Sequence, residues 1–165
     1  MKNTFTSVRW AVGSMVVGVG ILVAATAAGS AGPAQVTGGG LTPFAAGTGT
    51  AVGGHAQMVR TASGATIVSL HVTGLAPGGH YVSHVHAAPC GVGAADGHYK
   101  LDPAGAATPP NEIWPGGGPF VANAAGNADE RAVVNYTAGT SAVSVVVHDL
   151  SLPSTANKIA CADLG

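Results

Sequence analysis

The chain has 165 residues, of which only 8% are charged and 26 are glycine. That length accommodates one domain of ordinary size. Beyond the first thirty residues, Arg60, Lys100, Arg131 and Lys158 stand against Asp96, Asp102, Glu112, Asp129, Glu130, Asp149 and Asp163, four against seven, a net charge of −3. No basic patch is available to grip phosphates, which excludes nucleic acid as a partner. The glycine content and low charge suit an exported β-domain with many turns.

The N-terminus begins with Lys2 and Arg9, continues in an apolar run from Trp10 to Ala25, and then turns to small residues including Ala27, Ala28, Gly29, Ser30 and Ala31. This order is that of a secretory signal peptide over 1–31. Its apolar core is short for a membrane span, so no stable membrane insertion is expected after cleavage, and the product is expected to be secreted, periplasmic or held in the cell envelope. Residues 32–50, rich in Gly, Ala, Thr and Pro without apolar periodicity, are expected as a flexible leader. A β-domain is expected over 51–165.

Strand signals follow in order. Ala56 and Met58 alternate with smaller or polar residues, and Thr61–Gly64 reads as a turn. Ile67 to Val72 alternates, with Val68, Leu70 and Val72 inward and Ser69, His71 and Thr73 outward. After a turn at Gly74–Gly79 comes a strand near His80–Ala87. Residues 88–118, with five prolines and three successive glycines, read as one long loop, and so long a loop in a small domain is usually functional. Strand character returns at Phe120-Val121, at Ala132–Tyr136, at Val143–His148 and around Ile159–Cys161, with a hairpin turn at Asn123–Asn127. No long amphipathic helix is expected after the signal. Many short strands divided by turns predict an all-β antiparallel sandwich or barrel.

Within this pattern lie four histidines and the only two cysteines. His84 and His86 are two apart on a strand and so point to one face. His98 sits in the long loop and His148 ends the apolar run S-V-V-V-H. Together they supply an all-nitrogen metal site, and a tetragonal nitrogen set favours Cu(II). His55, His71 and His80 are expected as ordinary surface histidines. In an exported chain, Cys90 and Cys161 read as one disulfide, and loop entropy over so long a closure corresponds to about 4 kcal/mol.

The run G-G-H-Y-V-S-H-V-H-A-A-P-C, then G-H-Y-K-L-D-P, then V-V-V-H, then K-I-A-C-A-D-L-G resembles the copper/zinc superoxide dismutase family over roughly residues 50–165. The resemblance implies a Greek-key, immunoglobulin-like β-sandwich, copper held by His84, His86, His98 and His148, superoxide anion as substrate, and His98 at the position of the histidine that bridges copper and zinc. The chain also departs from the family. No histidine occurs between His98 and His148, so the remaining zinc ligands are missing and zinc is expected to be absent. The chain is thus similar to copper-only members, with one copper per chain.

Without zinc, His98 needs another group to orient it. Glu112, in N-E-I-W of the same loop, is the expected partner, with Asp102 the runner-up. Lys158 stands where the family carries an arginine that guides the anion, keeping the charge but not the planar fork. The catalytic residues expected are therefore Lys158 and His98, in a secreted copper-dependent superoxide dismutase. Two rivals remain: a non-enzymatic extracellular copper carrier on the same fold, and a secreted β-sandwich interaction module in which the histidines are incidental. Composition sets no oligomeric state.

Overall fold

The structure is a computed structural model that describes residues 32–47 and 51–165. The expected signal peptide lies outside the described residues. Nine strands run in chain order: β1 (Gln35–Gly40), β2 (Thr42–Pro43), β3 (Gly53–Arg60), β4 (Thr66–Thr73), β5 (His80–His86), β6 (Phe120–Val121), β7 (Ala128–Val134), β8 (Ser144–Asp149) and β9 (Lys158–Asp163). Two short 3₁₀ turns, Ala45–Gly47 and Gly93–Ala95, are the helical elements among the described residues. The fold is all-β, as the alternation predicts.

The strands form two antiparallel sheets, ordered β1-β3-β4-β7 and β2-β9-β8-β5-β6. The chain leaves the first sheet after β4, makes β5 and β6 in the second, and returns as β7 beside β4, a Greek-key crossing. Period-2 alternation sends one face of each sheet into the shared core. Met58, Val68, Leu70 and Val72 come from the first sheet, and Val85, Val145, Val147, Ala160 and Ala162 from the second. Leu70 and its neighbours face inward as alternation requires, while Ser69, His71 and Thr73 do not.

The segment expected as a flexible leader is instead built into the sheets. β1 pairs along its length with β3, and β2 pairs with β9 through Thr42 and Cys161. Glycine is the reason the composition misleads here. A Cβ at Gly38 would lie 2.6 Å from the carbonyl oxygen of Ala56, and one at Gly39 would collide with the carbonyl of Asp163 in β9. These glycines let β1 lie close against both β3 and the second sheet.

β7 also begins four residues earlier than expected. Asp129, Glu130 and Arg131 look like turn residues, yet they pair in register with His71, Leu70 and Ser69. The ladder tolerates them because Asp129 and Arg131 project to solvent. Residues 88–118 contain no strand, as expected, but the loop is tied to the outer edge of β5. Val85 N–H donates to Ile113 O, and Val85 O accepts from Tyr99 N–H, both at 2.9 Å. Single bridges pair His86 with His98 and Lys100 with Glu112. The loop therefore extends the second sheet just where β6 ends. Cys90 and Cys161 form a disulfide that fastens the start of the loop to β9.

Candidate metal centre

Alternation along β5 sends Val85 into the core and His84 and His86 to the opposite face. In β8 the same parity places Val147 in the core and Val146 in a separate small cluster with Ala95 and Cys161. His148 lies on that outer side too, opposite Val82 of β5. The loop then folds over this face. Since Tyr99 and Ile113 enter the core beside Val85, their neighbours His98 and Glu112 fall on the outer side with the histidines.

Four imidazoles converge there. One ring nitrogen from each of His84, His86, His98 and His148 lies within 4.8 Å of every other. Ring centroids are 4.0 Å apart for His84 and His98, 4.8 Å for His86 and His98, and 4.9 Å for His84 and His148. His84, His86 and His148 are buried, and His98 is partly exposed.

The outward ring nitrogens are engaged elsewhere, which fixes which atoms face inward. His86 Nδ1 donates to Ala95 O at 3.1 Å and Asp96 O at 3.2 Å. His98 Nδ1 donates to Glu112 Oε2 at 2.8 Å. His148 Nδ1 donates to Asn157 Oδ1 at 3.0 Å. A neutral imidazole that donates from Nδ1 presents a lone pair at Nε2. His86 Nε2 and His148 Nε2 consequently face each other at 3.4 Å as two acceptors. His84 Nδ1 is buried with no hydrogen-bond partner. Facing lone pairs and an orphaned buried nitrogen are unfavourable alone and are satisfied together by a cation.

Electrostatics keeps the cluster ready for a cation. His84 is pushed down to about 2, first by burial and then by the charges of His98, His148 and His86. His86 falls to about 3, from burial and then His98 and His148, partly offset by its bond to Ala95. His148 falls to about 4, chiefly from burial, with the Asn157 bond pulling the other way. The lone pairs of His84, His86 and His148 therefore stay free of protons at any ordinary pH.

Glu112 is buried in the roof. Its Oε2 accepts from His98 and also from Trp114 Nε1 at 2.7 Å, while Oε1 is buried without a partner. Asp102, the runner-up, is exposed and accepts instead from Ala104 N–H. Lys158 Nζ donates to Ala94 O at 2.8 Å and Asp96 O at 2.7 Å. Asp96 O is also an acceptor for His86, so the lysine braces the turn that holds that ring. Burial lowers the Lys158 ammonium below the ordinary lysine value, partly opposed by Asp96. His55 and His71 lie on the other sheet, and His80 is exposed at the start of β5, so none of the three joins the cluster.

Two residues of this site escape a reading of the sequence. Trp114 donates to Glu112 and packs edge-on against His84, with centroids 4.7 Å apart. Its one sequence signal is the i, i+2 spacing from Glu112 in an extended run. Asn157 carries no signal of its own, because the connection between β8 and β9 brings it back to His148, nine residues away in sequence.

No protein-family model matches the chain, and neither does any curated protein. Among solved structures, superoxide dismutase 5 of Candida albicans in a Cu(II) form is similar at 15% identity and a TM-score of 0.47, over 78% of this chain and 90% of that one. A point mutant of the same protein is similar at 16% identity with the same TM-score and coverage. At that identity and TM-score the likeness says nothing of this chain's chemistry.

Proposed function

We propose that this protein is a secreted copper-dependent superoxide dismutase whose four-histidine cluster takes one copper ion and no zinc. The observation that carries the reading is the inward-facing nitrogen set: His84 Nδ1 without a partner, and Nε2 of His86 and His148 opposed at 3.4 Å. With Nε2 of His98 they form four nitrogen donors, the kind of set that suits Cu(II). The resemblance of the ordered histidine and cysteine motifs to the copper/zinc superoxide dismutases supplies the substrate, superoxide anion. The disulfide suits an oxidising compartment, and no helix among the described residues is long and apolar enough to cross a membrane.

Bound copper would supply the one-electron exchange, with two superoxide anions and two protons giving one oxygen and one hydrogen peroxide. The chain's own part is positional and protonic. Asn157, the carbonyls of Ala95 and Asp96, and Glu112 hold three imidazoles by Nδ1–H, so that Nε2 of each faces inward. Glu112 keeps a proton on His98 Nδ1 and has a second oxygen, Oε1, free to accept another. Trp114 fixes Glu112 through Oε2 and screens His84 from one side. Lys158 places a cation next to the turn whose carbonyls hold the His86 ring, which offsets the repulsion that a net −3 domain exerts on an anion.

A second reading, an extracellular copper carrier, is favoured by one observation: Lys158 Nζ spends two of its N–H bonds on carbonyls, leaving one for an approaching anion. Assaying superoxide consumption by the copper-loaded protein separates the two. Fast consumption that disappears in His148→Ala supports the enzyme. Stoichiometric copper with no consumption beyond that of nonspecifically bound copper would replace it by the carrier.

A further inference from the structure

The outer face of the first sheet carries a second row of ligating side chains. Strand register sets Gly40, His55, His71 and Asp129 side by side across β1, β3, β4 and β7. Residues paired directly across antiparallel strands project to the same face. Here that face is solvent, because the next pair along, Ala56 and Leu70, is buried in the core. The imidazole of His71 is 37% exposed and the Asp129 side chain 80%.

The two rings are neighbours on this face. Their centroids are 5.5 Å apart and tilted by 39°, within the 4.0 to 6.3 Å range spanned by ring pairs in the four-histidine cluster. His71 Nδ1 donates to Asp129 Oδ1 at 2.7 Å, the carboxylate–histidine arrangement that fixes a tautomer and leaves Nε2 as a basic lone pair. On the other side of His55, β1 presents Gly40, whose lack of a side chain leaves the ring uncovered.

We propose that His55 and His71 form a second metal site, on the surface, for a borderline divalent transition ion of the Cu(II) type. Asp129 orients His71, and water completes the coordination shell. Two imidazoles rank Cu(II) above the other first-row divalent ions. The proposal does not rest on the function assigned to the buried cluster, since the two sites lie on opposite outer faces of the sandwich and share no residue.

The test is a titration of the full chain with Cu(II) alone, followed by equilibrium dialysis and electron paramagnetic resonance. The expected result is two bound equivalents, the second weaker than the first and with its own spectrum. His55→Ala and His71→Ala should each abolish the second equivalent and keep the first, which also reports that each variant is folded. Asp129→Asn should weaken the second by roughly 10–100-fold, as changes to a ligand's hydrogen-bond partner commonly do. His148→Ala should remove the first equivalent and leave the second; loss of neither would count against the buried cluster and not against this site. A second equivalent that survives both His55→Ala and His71→Ala overturns the proposal. So does a wild-type chain whose copper count is unchanged by His71→Ala while its thermal midpoint falls, because His71 would then be only the ion-pair partner of Asp129.

Discussion

The two histidine-bearing faces of this sandwich are made from the same residue type on the same kind of strand, yet they differ in depth. On the second sheet the loop over 88–118 covers the strands, and His84, His86 and His148 are buried beneath it. On the first sheet the row His55–His71–Asp129 lies in solvent. Burial drives the covered histidines down to about 2, 3 and 4 and leaves His84 Nδ1 without a hydrogen-bond partner. In the open row water satisfies whatever the neighbours do not. A pair of histidines on a strand is thus a weak ligand set by itself, and a roof bearing a third histidine and a carboxylate makes it a strong one.

The largest effect that would break this contrast is loss of a buried ligand. His148→Ala should weaken copper at the covered site by about 100-fold or more, beyond the 10–100-fold typical of a ligand's hydrogen-bond partner, while His71→Ala leaves that site unchanged. Competition against a chelator of known affinity measures both. Equal losses would mean that the two faces do not differ in kind.

The roof is tested next through its fastening. Replacing Cys90 and Cys161 together by serine should cost about 2–5 kcal/mol of stability, the usual range for a native bridge in a small exported domain, and should weaken copper at the covered face more than at the open row. Urea unfolding with and without copper gives both numbers. A loss confined to stability, with copper affinity intact, would show that the loop is held over the histidines without the bridge.

Glu112 sharpens the comparison because it and Asp129 play parallel parts, one buried and one exposed. Glu112→Gln should keep the fold and lose roughly 10–100-fold in copper affinity or turnover. Trp114→Phe should lose less, about threefold to tenfold, through the single hydrogen bond it removes from Oε2. An unaltered Glu112→Gln protein would remove the carboxylate from the site's working parts.

Acid should act on the covered face first. His84, His86 and His148 have folded-state values below the ordinary 6.5, so the unfolded chain binds more protons than the folded one as pH falls through 6.5. Stability of the metal-free protein is therefore full above about 6.5 and is lost as pH falls toward about 4 and below. A single such group contributes at most about 1.4 kcal/mol per pH unit within that window. Urea midpoints of the metal-free protein at pH 7.5 and 5 should differ in that sense, and His84→Phe should flatten the difference. No pH dependence in that window would contradict the burial of these rings.

The smallest effect concerns Lys158. Lys158→Ala should keep copper and slow superoxide turnover by a few fold, and added salt should slow the unmodified protein, because screening over about 10 Å weakens attraction to a lone cation. Stopped-flow decay of superoxide against ionic strength reads this directly.

Much of this was legible in the sequence because it depends on local periodicity. Alternation at 67–72 and 143–148 fixes which side chains enter the core, and the H-V-H spacing puts His84 and His86 on one face whatever the rest of the chain does. The pairing of the chain's two cysteines is likewise a matter of counting. Other features depend on neighbours distant in sequence. The glycines of 38–40 look like a flexible leader, and only the close approach of β3 and β9 makes them a strand. Asp129 to Arg131 look like a turn until β4 supplies partners for them. That His98 and Glu112 meet follows from Val85, whose two backbone bonds hold Tyr99 and Ile113 on either side of one residue. Trp114 and Asn157 join the site by the same kind of long-range closure. Sequence by itself determined the residue types and the face each strand offers; the tertiary structure decided which face was covered, and it is desolvation under that cover that keeps His84, His86 and His148 neutral, the state in which imidazole nitrogens can hold a metal.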